Sequence, residues 1–350
     1  MTITPDPIRS RVRRALVGLS AMLVAAACAT GTTGPKPGDA VSTPDVPLVQ
    51  QLSAAVSSAG AMTHLQALQK IADENGGNRA GGTRGYDASV DYVAGVLRGA
   101  GFEATTPTYA SGGDDGARAT GRNVVAQTRT GDPGRVVLVG AHLDSVPEGP
   151  GIVDNGSGVA TLLEIATRLG ADPATPNTVR FAFFGNEEDG SEGSTGYVQS
   201  LSRDDREKIT PYLNVDMVAS PNGGYRVQGG VGDDNETAGP TGSATVGRVL
   251  ADQLTKAGAS APEIIEFVGD DESAFVEAGI PAGGAENGDA KRKTAEQAQA
   301  WGGQAGQVYD RCYHQACDRI DNVNQEVLGR YLKATAGTLA HFATTTNALR

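Results

Sequence analysis

The chain has 350 residues, with 29 Lys and Arg against 41 Asp and Glu, and a formal net charge of −12 at pH 7. This acidity argues against a nucleic-acid-binding protein, which needs a cationic face to release counterions from phosphates. A hydrophobic share of 39% with 20% charged residues is typical of a globular protein and not of a disordered chain.

The first 27 residues have the pattern of a secretory signal peptide. Arginines between residues 9 and 14 precede an apolar run from Ala15 to Ala27, which is shorter than the ~20 residues of a membrane span. The run ends in Ala-Ala-Ala-Cys28, which resembles a bacterial lipobox, so Cys28 is expected to be lipidated and to become the new N-terminus. Cleavage at an Ala-x-Ala site without a lipid is the alternative. In either case we expect an exported protein, bound to the membrane only through the N-terminal lipid or secreted without it.

Residues 28–47 are rich in Gly, Thr and Pro and predict a flexible tether. Beyond them, apolar runs alternate with helical patterns without an internal linker, which predicts a single α/β domain over residues 48–350. Helices are predicted over residues 49–72, 87–99, 157–169, 240–257, 273–278 and 324–342. Strands are predicted over residues 123–128, 135–141, 179–184, 212–218 and 263–267.

Acidic residues and histidines follow these strands, at the edge where an α/β sheet collects its ligands. The residues concerned are His142, Asp144, Asp154, Glu187, Glu188, Asp216 and, far downstream, His314. Taken singly, a histidine is usually a surface residue, Asp-Asn-Gly is typical of a turn, and Glu pairs are usually solvated. Asp216 differs, because a carboxylate inside an apolar strand is costly unless it is paired or bound to a cation. The common position of these seven residues at one edge of the sheet therefore indicates a ligand-binding or catalytic site.

Histidine nitrogens and carboxylate oxygens are ligands of catalytic zinc, which keeps one position for water. Two metals about 3.5–4 Å apart can share a carboxylate. The two histidines and four of the carboxylates would suffice for two such ions and a spare carboxylate as general base. His64 and His341 lie in helical patterns without such companions and receive no role.

These ordered motifs resemble those of the secreted di-zinc aminopeptidases, the bacterial leucyl aminopeptidase family, in a short form without an inserted protease-associated domain. The matching motifs are His142-Leu-Asp144-Ser, Asp154-Asn-Gly-Ser-Gly, Asn186-Glu187-Glu188, Asn214-Val-Asp216-Met and Cys312-Tyr-His314. The resemblance implies a three-layer α/β/α fold with a central mixed, mostly parallel sheet, and makes residues 48–350 a zinc-dependent aminopeptidase domain. It also implies release of single residues from peptide or protein N-termini.

The resemblance further implies two zinc ions per chain and a set of protein ligands for each ion. His142 and Asp216 would bind one zinc, Glu188 and His314 the other, and Asp154 both.

Three other side chains receive roles by the same resemblance. Glu187 would be the general base, Asp144 would orient the ring of His142, and Tyr313 would donate to the developing oxyanion. Because the protein is expected to be exported, Cys312 and Cys317 should form a disulfide around Tyr313, two free thiols being the alternative.

Departures from the family pattern concern the substrate. Gly283-Gly284 of a late strand precedes Glu286, where relatives have an aromatic pocket residue. We expect Glu286, with Met217, to line an acidic pocket that favours N-terminal Lys or Arg over Leu; a Glu286 that points to solvent is the alternative. The segment 269–273 replaces a Ser-Asp-His-type stretch, so contacts to the substrate amine are not expected there.

Two other classes of function compete with the aminopeptidase. The first is another zinc hydrolase of the same fold, that is, a carboxypeptidase, a deacylase or a mono-zinc glutaminyl cyclase; the complete set of ligands favours two metals instead. The second is a non-catalytic binding lipoprotein, which would be expected to have lost ligands. Gly329 and Lys333 occupy the positions of a calcium site found in some relatives, so no calcium is expected, and the protein is expected to be a monomer.

Overall fold

The computed structural model describes residues 47–112, 118–230, 239–346 and 349. The predicted signal peptide and Cys28 lie outside the described residues, as does the tether up to residue 46. Within the described ranges, no helix combines the length and the apolar character needed to cross a membrane.

The centre of the fold is an eight-stranded sheet with the strand order β1-β4-β6-β5-β7-β10-β8-β9, and β2 and β3 form a separate hairpin. The strands are β1 (Glu103–Thr105), β2 (Thr108–Gly112), β3 (Arg118–Arg122), β4 (Val124–Gln127), β5 (Asp132–His142), β6 (Asn177–Phe184), β7 (Ile209–Asp216), β8 (Arg226–Gln228), β9 (Glu263–Ile265) and β10 (Ala282–Glu286). The four central strands β6, β5, β7 and β10 are parallel to one another. Antiparallel pairs flank them, which confirms the predicted mixed, mostly parallel sheet.

Helices cover both faces of this sheet. They are Leu48–Ala55, Ser58–Glu74, Arg84–Gly99, Gly156–Leu169, Glu192–Ser200, Arg203–Lys208, Ser243–Lys256, Glu272–Glu277, Ala295–Trp301 and Gln325–Thr344, with a 3₁₀ turn at Ile320–Asn322. Along β5, Val137 and Val139 enter one hydrophobic core while Val136 and Leu138 enter the other. Successive side chains of a strand point to opposite faces, so a continuous apolar run is what a sheet covered on both sides requires. The predicted three-layer arrangement is therefore confirmed.

Two predicted elements differ from the structure for clear physical reasons. The helix predicted over residues 49–72 is two helices, because Ser57 begins the second one and its hydroxyl accepts from the Gly60 N–H at 3.1 Å. Strand β10 was expected only from the family resemblance and not from the hydrophobic pattern, since Gly283 and Gly284 lack the side chains that indicate a strand. A Cβ at Gly283 would lie 2.6 Å from Cγ1 of Val246, so close helix packing explains the glycine.

The helix Ser243–Lys256 provides a test of this close packing. A Cβ at the buried Gly247 would lie 2.5 Å from Cα of Gly229, whereas a Cβ at the exposed Gly95 in the helix Arg84–Gly99 would meet nothing within 4 Å. Gly247→Ala should therefore lower the free energy of unfolding by about 1–3 kcal/mol through overpacking. The matched variant Gly95→Ala should raise it by about 0.5–1 kcal/mol through helix propensity. Chemical denaturation of both variants checks this; a Gly247→Ala protein as stable as Gly95→Ala contradicts it.

Candidate active site

The carboxyl ends of three adjacent parallel strands bring the predicted residues together. His142 is the last residue of β5 and Asp216 is the last residue of β7, and both pack at the same edge of the sheet. Glu187 and Glu188 follow the neighbouring β6 after a two-residue connection. Asp154 lies just before the helix Gly156–Leu169. The sheet edge is thus the place where side chains far apart in sequence meet, as expected for a parallel sheet.

Asp154 stands between two groups of metal-binding side chains. Its Oδ1 lies 3.2 Å from Nε2 of His142, and its Oδ2 lies 3.2 Å from Nε2 of His314. Asp216 completes the first group, with Oδ1 3.5 Å from the same His142 nitrogen. Glu188 completes the second, with Oε2 3.0 Å from the His314 nitrogen. Each group offers three donor atoms within 4.8 Å of one another, and Asp154 belongs to both.

The donor atoms of this cluster fit zinc. Oδ1 of Asp216 and Oε1 of Glu188 are buried and have no hydrogen-bond partner in the protein, although buried carboxylate oxygens normally have one. Imidazole nitrogens and carboxylate oxygens are the ligands that catalytic zinc takes. Nε2 of His142 faces the carboxylates while its Nδ1 lies 3.5 Å from Oδ1 of Asp144, which is the arrangement of a metal-ligating histidine with a carboxylate behind it.

Strong electrostatic coupling shows that the cluster needs bound cations or protons. Burial raises the pKa of Glu188 to about 7, and the charge of Asp154 acts in the same direction. Hydrogen bonds with Asp154 and Glu188 raise the pKa of His314 to about 10. Burial lowers the pKa of His142, but the charge of Asp216 and bonds with the surrounding aspartates outweigh it, so its pKa lies well above the ordinary value. Metal ions bound by these ligands would balance the same charges.

Asp144 holds the loop that carries Glu187 and Glu188. Its two carboxylate oxygens accept hydrogen bonds from the backbone N–H groups of both residues, each at 3.2 Å. Oε1 of Glu187 accepts from the Ser191 hydroxyl at 3.1 Å, while Oε2 lies 4.0 Å from Nε2 of His142. Burial raises the pKa of Glu187 to about 9, with the charge of His142 opposing the rise. One oxygen of Glu187 is thus fixed from behind and the other faces the cluster.

The loop that contains His314 is closed by a disulfide between Cys312 and Cys317, which confirms the predicted pair. His314 has a left-handed backbone, with φ of 57°. The ring of Tyr313 stacks on the ring of His314, with centroids 3.8 Å apart. The short covalent loop therefore holds two adjacent aromatic side chains at the mouth of the cluster.

Two supporting residues were not predicted from the sequence. The guanidinium of Arg79 is completely buried and donates to the carbonyl oxygens of Leu143, Pro150 and Gly151, on the loop between two of the ligands. Asp318 accepts from the backbone N–H of Asp154 at 3.0 Å. Asp318 directly follows the Cys-x₄-Cys loop, and this position could have identified it as a residue of the site. Arg79 lies 63 residues before His142 in a polar segment, where no sequence pattern indicates a role.

Glu286 lines the same cleft as the metal-binding residues, so the alternative in which it points to solvent is wrong. Its side chain is 7% exposed, and Oε1 accepts from Nη1 of Arg226 at 2.6 Å. Arg226 has no counterpart in the sequence interpretation. Met217 lies at the same wall as predicted, and Asp270 of the segment 269–273 lines it too. His64 contacts Tyr92 and lies outside this cleft.

Comparison with known proteins supports the predicted family. The family model described as "Peptidase family M28" matches residues 123–339. The leupeptin-inactivating enzyme 1 of Streptomyces exfoliatus is 43% identical over 328 residues, which are 92% of this chain and 67% of that protein. The probable lipoprotein aminopeptidase LpqL of Mycobacterium tuberculosis is 43% identical over 74% of this chain and 54% of its own length. The chain therefore spans about two thirds of the first relative and about half of the second.

Solved structures support the fold. A zinc aminopeptidase from Bacillus subtilis superimposes with a TM-score of 0.65 at 17% identity, over 84% of this chain and 97% of its own. A glutaminyl cyclase from Porphyromonas gingivalis superimposes with a TM-score of 0.63 at 20% identity, over 82% of this chain and 99% of its own. At these identities the likeness concerns the fold alone and does not distinguish the two activities. The family match covers the whole cluster from His142 to His314 and therefore identifies the family as well as the fold. This chain belongs to peptidase family M28.

Proposed function

We propose that the protein is a zinc-dependent aminopeptidase that releases single residues from the N-termini of peptides or proteins. The observation that carries this proposal is the shared carboxylate of Asp154 between two complete donor groups. A binding protein that had kept only the fold would not need to keep all of these donors. The relative from Mycobacterium tuberculosis that is named a probable lipoprotein aminopeptidase supports the same activity.

The donor groups assign the residues that would hold two zinc ions per chain. His142 and Asp216 would hold one, Glu188 and His314 would hold the other, and Asp154 belongs to both donor groups. Zinc at these positions would supply Lewis-acid polarisation of the scissile carbonyl and lower the pKa of water. The two ions would also balance the buried carboxylates that lack protein partners.

Glu187 is proposed as the general base. Its Oε2 is the carboxylate oxygen that faces the cluster, while Ser191 and Asp144 hold the rest of the residue. In this role it accepts a proton from the attacking water and delivers it to the leaving amine. Asp144 keeps the His142 ring oriented, and the hydroxyl of Tyr313 donates to the oxygen that becomes negative during the attack.

Export is proposed on the signal-peptide pattern and on the relative that is named a lipoprotein. In this arrangement Cys28 is acylated, residues 28–47 separate the catalytic domain from the membrane surface, and residues 48–350 are the peptidase domain. The disulfide Cys312–Cys317 agrees with an oxidising compartment.

The role of Glu187 is tested by Glu187→Gln, which removes the basic oxygen but keeps the shape. We expect kcat/KM for an aminoacyl-nitroanilide to fall about one-hundred- to ten-thousandfold, with zinc content unchanged. Glu148→Gln, which changes an exposed carboxylate on the loop between two ligands, should keep parental kinetics. A Glu187→Gln protein that binds zinc normally and remains fully active would falsify the mechanism.

The shared ligand is tested by counting zinc in dialysed variants. The parent should retain about two ions per chain, since two donor groups are present. His314→Ala should retain about one, whereas Asp154→Ala should retain fewer than His314→Ala because both groups lose a donor. Elemental analysis with a protein assay measures the ratio. Equal zinc contents in the two variants would argue that Asp154 serves one ion only.

The processing of the N-terminus is tested by mass spectrometry of the protein from membranes of an expressing bacterium. We expect the mature chain to begin at Cys28 with an attached diacylglycerol. Cys28→Ser should remove the lipid and leave the catalytic domain folded and active. A mature parent chain that begins at another residue and carries no lipid would show the unlipidated alternative to be correct.

A further inference from the structure

The wall of the cleft beyond the metal-binding residues is acidic. Besides Glu187, three carboxylates that are not in the metal-binding groups line the cleft, namely those of Asp270, Glu286 and Asp289. Glu286 is paired in register with Asp216 on the adjacent strand, so this wall begins one strand beyond the metal ligands. The wall is therefore close enough for contact with a substrate whose scissile bond lies at the cluster.

The three carboxylates differ in how their charge is balanced. Glu286 pairs with Arg226 through Oε1, and Asp289 lies 3.8 Å from the ammonium of Lys291. Asp270 has no cationic partner in the part of the chain that the structure describes; the amide of Gln228 donates to its Oδ2 at 3.3 Å. Burial raises the pKa of Asp270 well above its usual range, and the neighbouring charges of Glu272 and Asp216 act in the same direction. The wall thus contains a carboxyl group without a cationic partner among the described residues, and a cation placed beside it would favour its ionised form.

A second observation indicates a missing partner. Oε2 of Glu286 is buried and has no hydrogen-bond partner among the described residues. A buried carboxylate oxygen without a donor costs free energy that a bound cation would recover. No third metal-binding group forms here among the described residues. The geometry therefore favours an organic cation that reaches in from the substrate.

The rest of the wall fits the stem of such a cation. Met217 and Val268 line it, and Val268 is 38% exposed. Lys and Arg side chains bury an aliphatic stem along apolar groups and place the charge at the end. A leucine side chain would fill the same space but would leave the carboxylates desolvated and unpaired, which is unfavourable.

We propose that this wall selects substrates with an N-terminal Lys or Arg, whose side-chain cation binds between Asp270 and the free oxygen of Glu286. The proposal rests on the aminopeptidase activity proposed above and names its substrate class. Tyr331 supports the arrangement, because its hydroxyl accepts from the Arg226 N–H at 2.8 Å and donates to the Glu286 carbonyl at 2.7 Å. It thus fixes the backbones of the pair that forms the wall.

The first test compares two nitroanilides on the zinc-loaded protein. Lysine and norleucine have the same carbon chain, and only lysine has the terminal ammonium. We expect kcat/KM for the lysine substrate to exceed that for norleucine by about ten- to one-hundredfold, the factor that a hydrogen bond to a charged group supplies. A ratio of one or below overturns the proposal.

The second test assigns the preference to the wall. Asp270→Asn keeps the shape and an acceptor for Gln228, and it should lower the lysine-to-norleucine ratio about tenfold or more. Glu286→Gln, which keeps an oxygen for Arg226, should also lower the ratio and serves if Asp270→Asn does not fold. Asp321→Asn, on the 3₁₀ turn Ile320–Asn322, removes a charge outside the cleft and should keep the parental ratio. An equal loss with both substrates in Asp270→Asn would place this carboxylate at the common α-amine and overturn the proposal.

The third test separates this inference from the proposed activity. Calorimetry measures the affinity of the zinc-loaded Glu187→Gln protein for lysinamide and for norleucinamide, because the parent aminopeptidase would hydrolyse these amides during the titration. Tighter binding of lysinamide than of norleucinamide, with a smaller difference in Asp270→Asn, supports the selection of a cation by the wall. If neither nitroanilide is hydrolysed in that case, the proposed aminopeptidase activity fails and the selection stands. Equal affinities combined with rapid hydrolysis of both substrates leave the activity intact and overturn the selection of a cation.

Discussion

The shared carboxylate of Asp154 is the interaction on which the rest of the site depends. Its two oxygens each face one imidazole at 3.2 Å, so a displacement of this side chain would disturb both donor groups. The surrounding polar network prevents such a displacement: Asp318 accepts from the Asp154 N–H, and Arg79 binds the carbonyl groups of the preceding loop. A buried guanidinium and a buried carboxylate thus support the loop that carries Asp154.

The sequence was sufficient to predict the metal-binding residues because of how a parallel sheet is built. Each strand ends at the same edge, so residues that follow apolar runs, such as His142 and Glu188, are brought together whatever their separation along the chain. The central strands were equally predictable, since a strand buried on both faces is a continuous apolar run. Family resemblance then supplied what spacing alone leaves open, namely the role of each residue.

The features that were missed share one physical property: they are defined by contacts and not by patterns. Strand β10 contains glycines that a close helix requires, and the strand signal of side chains is absent there. Arg226 meets Glu286 only because β8 and β10 are neighbours in the sheet although 60 residues apart, so an acidic pocket was predicted without its internal counter-charge. An isolated Arg in a sequence carries no information about which carboxylate it will face.

Arg226 also explains how two kinds of carboxylate can coexist in one cleft. Asp154, Asp216 and Glu188 form two groups with the histidines, and the donor atoms within each group lie within 4.8 Å of one another, the compactness that a metal ion needs. Glu286 and Asp270 lie beside them but belong to neither donor group, and the guanidinium at 2.6 Å already occupies one oxygen of Glu286. A small divalent ion needs several converging ligands, whereas the cationic side chain of a substrate needs only a hydrogen-bond acceptor beside its terminal charged group. The arginine therefore keeps the acidic wall from competing with the catalytic cluster for metal while leaving one carboxylate oxygen free.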